Sequence, residues 1–405
     1  MPVYLSDDQL SRDLALRDLS DPAAGPHAVQ LILDLAVRTL ADRWGCQVRW
    51  YRGDRIVPTQ DNYDDLGFDP ADVTRNSRYT RYVDDRTMLR SHSSAMIPAA
   101  LRALAEDPAD DVLLVCPGIT YRRDAIDRLH TGTPHQLDLW RLTRRSPAMA
   151  DQDLDEMISA LVGALVPGAA HRCEPRLHPY TLAGRQVDVD WDGEWVELAE
   201  CGLAHPDVLA RAGLDADWSG LALGMGLDRA LMLLKQIPDI RLLRSTDPAV
   251  AGQMQDLAPY RPVSTRPAVR RDLSVAVEHD DVDEDLGDRV RDALGPEAAC
   301  VEAVLIRTET PCADLPEAAL ARLGARRDQK NLLVSVSLRH LERTLTDQEA
   351  NLLRDRIYAA IHQGTVYQWA TGSDPRIADP AAAESRVIAA DTAPAGSAAE
   401  PAGHV

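Results

Sequence analysis

Residues 187–202 constrain the fold most. Val187-Asp188-Val189-Asp190-Trp191 and Trp195-Val196-Glu197-Leu198-Ala199-Glu200-Cys201-Gly202 alternate in polarity on either side of Asp192-Gly193. Such alternation has the period of a strand, and an Asp-Gly pair between two such runs signals a hairpin. Upstream, Asp111-Val112-Leu113-Leu114-Val115-Cys116 reads as a buried strand that Pro117-Gly118 stops. Beyond it, Ile119-Thr120-Tyr121-Arg122-Arg123-Asp124 and His135-Gln136-Leu137-Asp138-Leu139-Trp140 flank a loop holding Gly132, Thr133 and Pro134. Paired as strands, they would carry Arg122, Asp124, Gln136 and Asp138 on one surface, because alternate residues share a face. An arginine flanked by acceptors suits a sheet that binds phosphate and an ammonium group. It equally suits a solvated strand pair laced with ion pairs. The middle of the chain is therefore expected to be antiparallel sheet with helices around it, an α+β arrangement, which argues against a Rossmann-type fold.

Residues 219–235 add a small-residue strand (Leu221, Ala222, Leu223), a tight Gly224-Met225-Gly226 turn, and a helix with Leu227, Leu231 and Leu234 at helical spacing. Glycines let a backbone approach a flat ligand closely. Arg229 falls in the first helical turn, where the helix dipole disfavours a cation, and a bound polyphosphate would resolve that conflict. A glycine-packed strand and helix with Arg229 in a salt bridge fits the same residues. Further helices are expected over 25–44 (Val29, Leu33, Ala36, Leu40), from Met96 to about Ala105, and over 151–166 (Leu154, Met157, Ile158, Leu161, Leu165). The hydroxyls and histidine of Ser91-His92-Ser93-Ser94 suit either helix capping or a polar ligand.

At 405 residues and 45% hydrophobic, the chain can bury more than one core. It has no run of 18 apolar residues, and Met1-Pro2-Val3-Tyr4-Leu5-Ser6-Asp7-Asp8 has neither a basic stretch nor a signal core, so a cytoplasmic protein without membrane partners is expected. Six scattered cysteines without a C-x-x-C pair fit reduced thiols better than a disulfide frame or zinc site. A net charge of −20 opposes non-specific nucleic-acid binding, so an RNA partner would need a local basic face; Arg270, Arg271, Arg326, Arg327, Lys330 and Arg339 could make one or merely solubilise. Phe68 is the single phenylalanine.

Beyond Arg261-Pro262 a second unit begins, with strand 267–277, a helix between Asp280 and Ala293, strands 301–306 and 331–338, and a helix to about His362. Thr346 with Glu349 three residues on forms a capping box for that last helix. The order expected is β-α-β-β-α-β, a ferredoxin-like sandwich. Residues 373–405, rich in Ala, Pro, Asp and Glu, read as a disordered tail.

Six blocks, in this order, resemble the class II core of phenylalanyl-tRNA synthetases: Leu-Arg-Ser-His-Ser-Ser (89–94), Tyr-Arg-Arg-Asp (121–124) with Asp127 and His130, His-Gln-Leu-Asp (135–138), His-Pro-Tyr-Thr (178–181), Trp-Val-Glu-Leu-Ala-Glu-Cys-Gly (195–202) and Gly-Met-Gly-Leu-Asp-Arg (224–229). Arg-Asp-Leu-Ser (271–274) and Arg-Thr-Leu-Thr-Asp (343–347) resemble the family's ferredoxin-fold anticodon-binding domain. The resemblance implies a single-chain, organelle-like architecture: a class II catalytic domain at 1–258, the anticodon-binding domain at 262–365, and a tail at 366–405. It implies activation of an amino acid by ATP and Mg2+ and transfer to tRNA. Arg122 and Arg229 would act in catalysis on the ATP phosphates, with Asp124, Gly224 and Gly226 also lining the nucleotide. Glu197 would bind magnesium. His92, Ser94, Gln136, Asp138, His178, Tyr180 and Ala222 would hold the amino acid. The family includes a monomer and a heterotetramer; nothing in the residues selects a homodimer, a monomer is plausible, and the oligomeric state stays open.

The chain also departs from the family. His178 and Tyr180 replace two pocket phenylalanines, Asp138 replaces a glutamate, and Leu139 replaces the glycine after it. A His/Tyr pair would reward a substrate that hydrogen-bonds. The reading is thus activation of phenylalanine or a more polar aromatic. Its alternatives are a paralogue making an aminoacyl adenylate for a non-tRNA acceptor, and a catalytically silent RNA-binding relative.

Overall fold

In the computed structural model, which describes residues 3–263 and 267–367, residues 3–258 build one seven-stranded sheet with helices on both sides. The elements in order are α1 (Asp7–Ala15), α2 (Ala28–Trp44), β1 (Gln47–Trp50), β2 (Ile56–Pro58), β3 (Thr87–Leu89), α3 (Ile97–Glu106), β4 (Asp111–Ile119) and β5 (His135–Thr143). They continue with α4 (Asp151–Leu165), β6 (His171–Pro175), β7 (Thr181–Trp191), β8 (Glu194–Ala204), α5 (Pro206–Arg211), β9 (Ser219–Gly226), α6 (Leu227–Lys235) and α7 (Pro248–Ala251). The large sheet runs β1-β4-β5-β9-β8-β7-β6, and β2 with β3 forms a separate ribbon. All neighbours in the large sheet are antiparallel except the edge pair β1 and β4, which is parallel, so the sheet is mixed where a wholly antiparallel one was expected.

Local chemistry explains the boundaries. The β7–β8 hairpin turns on Asp192 (φ 54°) and Gly193 (φ 86°), the left-handed pair that a two-residue hairpin needs. α2 starts at His27, whose ring accepts from the Val29 N–H, and ends on Gly45 at φ 62°. β4 runs through Pro117-Gly118 instead of stopping there. β1 pairs only with Val112–Val115, so Pro117 faces an edge where β1 no longer runs and its missing N–H breaks no ladder. The segment after Ile119 is irregular and is not the second charged strand expected. It keeps two ladder bonds to the β5 side, Thr120 N–H to Pro134 O and Arg122 N–H to Gly132 O, both 2.8 Å.

Alternation divides the sheet into two faces. Leu113, Val115, Leu137, Leu139, Leu221, Leu223 and Met225 pack under α2, α4 and α6. Val112, Leu114, Trp140, Leu142, Ala204 and Ala222 pack under α3 and α5. Each fully buried leucine or valine stabilises by about 2 kcal/mol. No helix among the described residues is long and apolar enough to cross a membrane, and all six cysteines are free thiols.

The C-terminal unit comprises β10 (Val269–Val277), α8 (Asp283–Leu294), β11 (Val301–Pro311), α9 (Glu317–Leu323), β12 (Lys330–Leu338) and α10 (Asp347–Ile361), with sheet order β10-β12-β11. That is the 1-3-2 order of a ferredoxin-like sandwich. The last strand expected would lie beyond α10 against β10. Gln363 N–H bonds to Ala276 O (2.8 Å) at that position, and residues from 368 on, including most of the expected tail, lie outside the described residues. Thr346 and Glu349 form the expected capping box. The basic residues proposed for a face are largely paired with acids: Arg271 with Asp347, Arg326 with Glu278, Arg327 with Glu317, Lys330 with Glu309 and Arg339 with Glu302.

α8 docks on the loop that carries Arg122. Arg123 Nη1 lies 3.1 Å from Asp288 Oδ2, and Arg81 bridges Asp288 (3.3 Å) and Asp13 (2.8 Å). A side chain at Gly287 would stand 2.8 Å from the Asp124 carbonyl, so this approach requires glycine. Asp288→Ala would leave two guanidiniums facing each other in a nearly buried place. It is expected to lower stability by about 3 kcal/mol, read from the urea midpoint.

Candidate active site

The site lies where one face of the sheet is left without a helix. In the β5–β9 register Trp140 pairs with Ala222, Asp138 with Gly224, and Gln136 with Gly226; on the far side of β9, Gly202 pairs with Ala222 and Glu200 with Gly224. Ala222 and Trp140 belong to the core under α3, and the rows beyond them open outward. Gly224 and Gly226 are strand residues, hydrogen-bonded into β9, and form no tight turn; neither has a positive φ. Their contribution is a floor of bare backbone: a Cβ at Gly224 would reach 3.6 Å from Asp138 Oδ2.

Glu197 reaches this face through a bulge. Val187 pairs with Ala199 and the next residue, Asp188, with Glu197, so Leu198 is an extra residue on β8. Leu198 and Ala199 are both buried, and the phase shift brings Glu197 to the side of Glu200. Arg229, the third residue of α6, donates from Nη1 to Glu197 O (3.0 Å) and lies 3.7 Å from Glu197 Oε1; its Nη2 is 3.5 Å from His130 Nε2. The other nitrogen of His130 is 2.8 Å from Asp127 Oδ2. The helix-terminal arginine thus has the salt-bridge partner that one reading expected, beside a floor that the other reading needs. Arg122 is exposed, 3.6 Å from Asp124 Oδ2, and its charge reaches His92 and Glu200.

The opposite end is a buried carboxylate in a ring of donors. Ser93 Oγ donates to Asp138 Oδ2 (2.5 Å), Ser94 Oγ to Oδ1 (3.0 Å) and Trp140 Nε1 to Oδ1 (3.3 Å). Ser93 N–H also donates to Gln136 Oε1 (3.1 Å). These serines sit in a 3-10 turn before α3 and turn to Asp138, so they are not helix caps. Burial pushes the Asp138 carboxyl up to about 6, and the three donors only partly oppose it. His92 is held down to about 4, first by burial and then by the Arg122 charge; its Nε2 meets Asn62 Nδ2 (3.3 Å) and its Nδ1 is buried without a partner.

Aromatic rings close the pocket. Tyr180 stacks with His178 (5.5 Å between centroids) and Trp140 (6.3 Å), and lies 6.2 Å from Phe68, which stacks on His92 (5.8 Å). The chain's single phenylalanine is spent here. His178 does not offer the free polar group expected of it: Nε2 is 3.0 Å from Glu200 Oε2 and Nδ1 is 3.2 Å from Thr181 Oγ1. Burial raises the Glu200 carboxyl, but the His178 hydrogen bond and charge, with the charges of Arg176 and Arg122, outweigh it and hold it low. Burial and the Asp138 and Glu200 charges push the Tyr180 hydroxyl up, so it stays a neutral donor.

Of the residues expected at the site, His92, Ser94, Gln136, Asp138, His178, Tyr180, Ala222, Gly224, Gly226, Glu197 and Arg229 gather on this face, while Arg122 and Asp124 stand on the irregular segment after β4. Phe68, Glu200 and Trp140 join that face without having been expected there, and Ser93 belongs to the hydroxyl cluster that was. Trp140 was within reach: it lies two residues past Asp138, and alternate strand residues share a face.

Fold and site define the core of a class II tRNA synthetase. Residues 23–254 match the family described as tRNA synthetases class II core domain (F), and the chain belongs to that family. It is 25% identical to the mitochondrial phenylalanine–tRNA ligase of Saccharomyces cerevisiae, across 75% of this chain and 79% of the yeast protein. It is 28% identical to the phenylalanine–tRNA ligase alpha subunit of Nostoc punctiforme, across 58% of this chain and 68% of that subunit. With the alpha subunit of Prochlorococcus marinus it shares 32% identity, across 46% of this chain and 54% of that subunit.

Proposed function

We propose that the chain activates phenylalanine with ATP and transfers it to tRNA. The observation that carries this is the pairing, on one bare stretch of sheet, of an arginine-flanked backbone floor at Gly224–Gly226 with the buried carboxylate of Asp138. The substrate ammonium would replace part of the hydroxyl ring around Asp138, with Gln136 and Ser94 beside it. The substrate carboxylate would then attack the α-phosphate in line: a carboxyl O–P bond forms, the bond to the β-phosphate breaks, and pyrophosphate leaves. Arg229 and Arg122 would offset the charge that develops on the phosphates, and Asp124 would orient Arg122. Bound magnesium would neutralise phosphate charge. The half-exposed Glu197 carboxylate, beside the Arg229 guanidinium, would offer that ion one hard oxygen ligand, the others coming from phosphates and water. In acyl transfer a 3′-terminal hydroxyl of the tRNA would attack the carbonyl of the bound adenylate and AMP would leave, with no covalent enzyme intermediate.

We assign residues 1–258 to catalysis, 262–365 to an anticodon-binding role and 366–405 to a tail, and we place the protein in the cytoplasm. Loading of labelled phenylalanine onto total tRNA by the full chain tests the acceptor. Labelled tRNA supports the proposal; adenylate formation with no charged tRNA would contradict the tRNA half.

A further inference from the structure

We propose that Trp140 is a specificity-determining residue that sets the size limit of the amino-acid pocket. The inference rests on the reading that Asp138 receives the substrate ammonium. Across β5, β9 and β8 the row Trp140, Ala222, Gly202 runs from a large side chain to a methyl to none. A substrate side chain laid over Ala222 would therefore meet one tall wall. That wall is fixed: Trp140 is fully buried, its Nε1 donates to Asp138 Oδ1 (3.3 Å), and its ring stacks with Tyr180 at 6.3 Å and 27°. The far end of that path is closed as well, because Thr181 folds so near Gly202 that a Cβ there would meet it at 2.6 Å.

A substrate anchored at Asp138 with its side chain over Ala222 runs along the indole and under the phenol of Tyr180. Interiors packed to this density do not yield by the volume of a heavy atom without displacing a neighbour. The path admits an unsubstituted ring and rejects one that carries a bulky para substituent. Because Trp140 is tied to Asp138 by the same hydrogen bond, the position of the anchor and the length of the path are set together.

The test is ATP–pyrophosphate exchange by the full chain, with phenylalanine and with 4-bromophenylalanine. Wild type, Trp140→Leu and Trp140→Phe are compared, each ratio of kcat/KM being taken on one preparation so that the active fraction cancels. The ratio of bromo to unsubstituted substrate is expected to rise about tenfold or more in Trp140→Leu, mainly through KM, and by less in Trp140→Phe. An unchanged ratio in both variants, with phenylalanine exchange retained, overturns the role of Trp140 and leaves the activation reading standing. Absence of exchange with any aromatic amino acid in folded wild type overturns both. If Trp140→Leu melts early and is inactive, the Trp140→Phe ratio decides alone.

Discussion

Replacing Arg229 with alanine is expected to lower ATP–pyrophosphate exchange by about 10²–10³-fold, the loss typical when one preorganised donor to a developing charge is removed. The same change is expected to leave the melting temperature unchanged or slightly raised. Arg229 stands in the first turn of α6, where the helix dipole works against a cation. Its contacts are one backbone carbonyl, a half-exposed carboxylate 3.7 Å away and His130 Nε2 at 3.5 Å, which contribute little to stability. A residue kept for the fold would show the opposite pattern: a large drop in melting temperature and activity that falls only in proportion. Arg229→Lys should recover only part of the rate, because a point charge cannot reproduce the planar fork. Exchange at saturating phenylalanine, with melting curves on the same samples, separates these outcomes.

The second large effect is expected at Asp138. Asp138→Asn should raise the KM for the amino acid about 100-fold, as removal of one partner from a buried charge pair does, while it stabilises the free protein above pH 7. Its carboxyl is pushed from the ordinary aspartate range up to about 6. Between about pH 4 and 6 the folded state therefore binds more protons at this site than the unfolded state, so stability falls as pH rises through that window. The loss is complete above it and amounts to about 3 kcal/mol. Asparagine removes that slope, because Oδ1 can keep the Ser94 and Trp140 bonds and the Ser93 hydroxyl can rotate to accept. In the wild type, kcat/KM for the amino acid should decline below about pH 6 as the anchor protonates. Urea midpoints at pH 5 and pH 8 check the stability half, and initial rates check the binding half.

How far these residues could be read in advance depended on the range of the interactions that place them. The Asp192-Gly193 hairpin and the Thr346–Glu349 cap are local, and both appear where their sequences require them. Asp138 and Gln136 follow from simple alternation along β5. Three features were not legible for reasons of longer range. Gly224-Met225-Gly226 resembles a turn until β5 and β8 are seen to bond to β9 on both edges. The bulge at Leu198 shifts the phase of β8: counting by twos from Glu200 reaches Leu198 and Val196 and would put Glu197 on the opposite face. Pro117 looks like a strand stop unless β1 is known to end opposite Val115. The pocket misled in another way: His178 is polar by composition, yet Glu200, twenty-two residues away, and Thr181 occupy both its nitrogens.

The most direct test of amino-acid activation on this face is ATP–pyrophosphate exchange by the full chain without tRNA, with phenylalanine and each of the other protein amino acids in turn. Exchange that depends on phenylalanine and is lost in Arg229→Ala is the expected result. A folded protein that binds ATP but exchanges with no amino acid would contradict it.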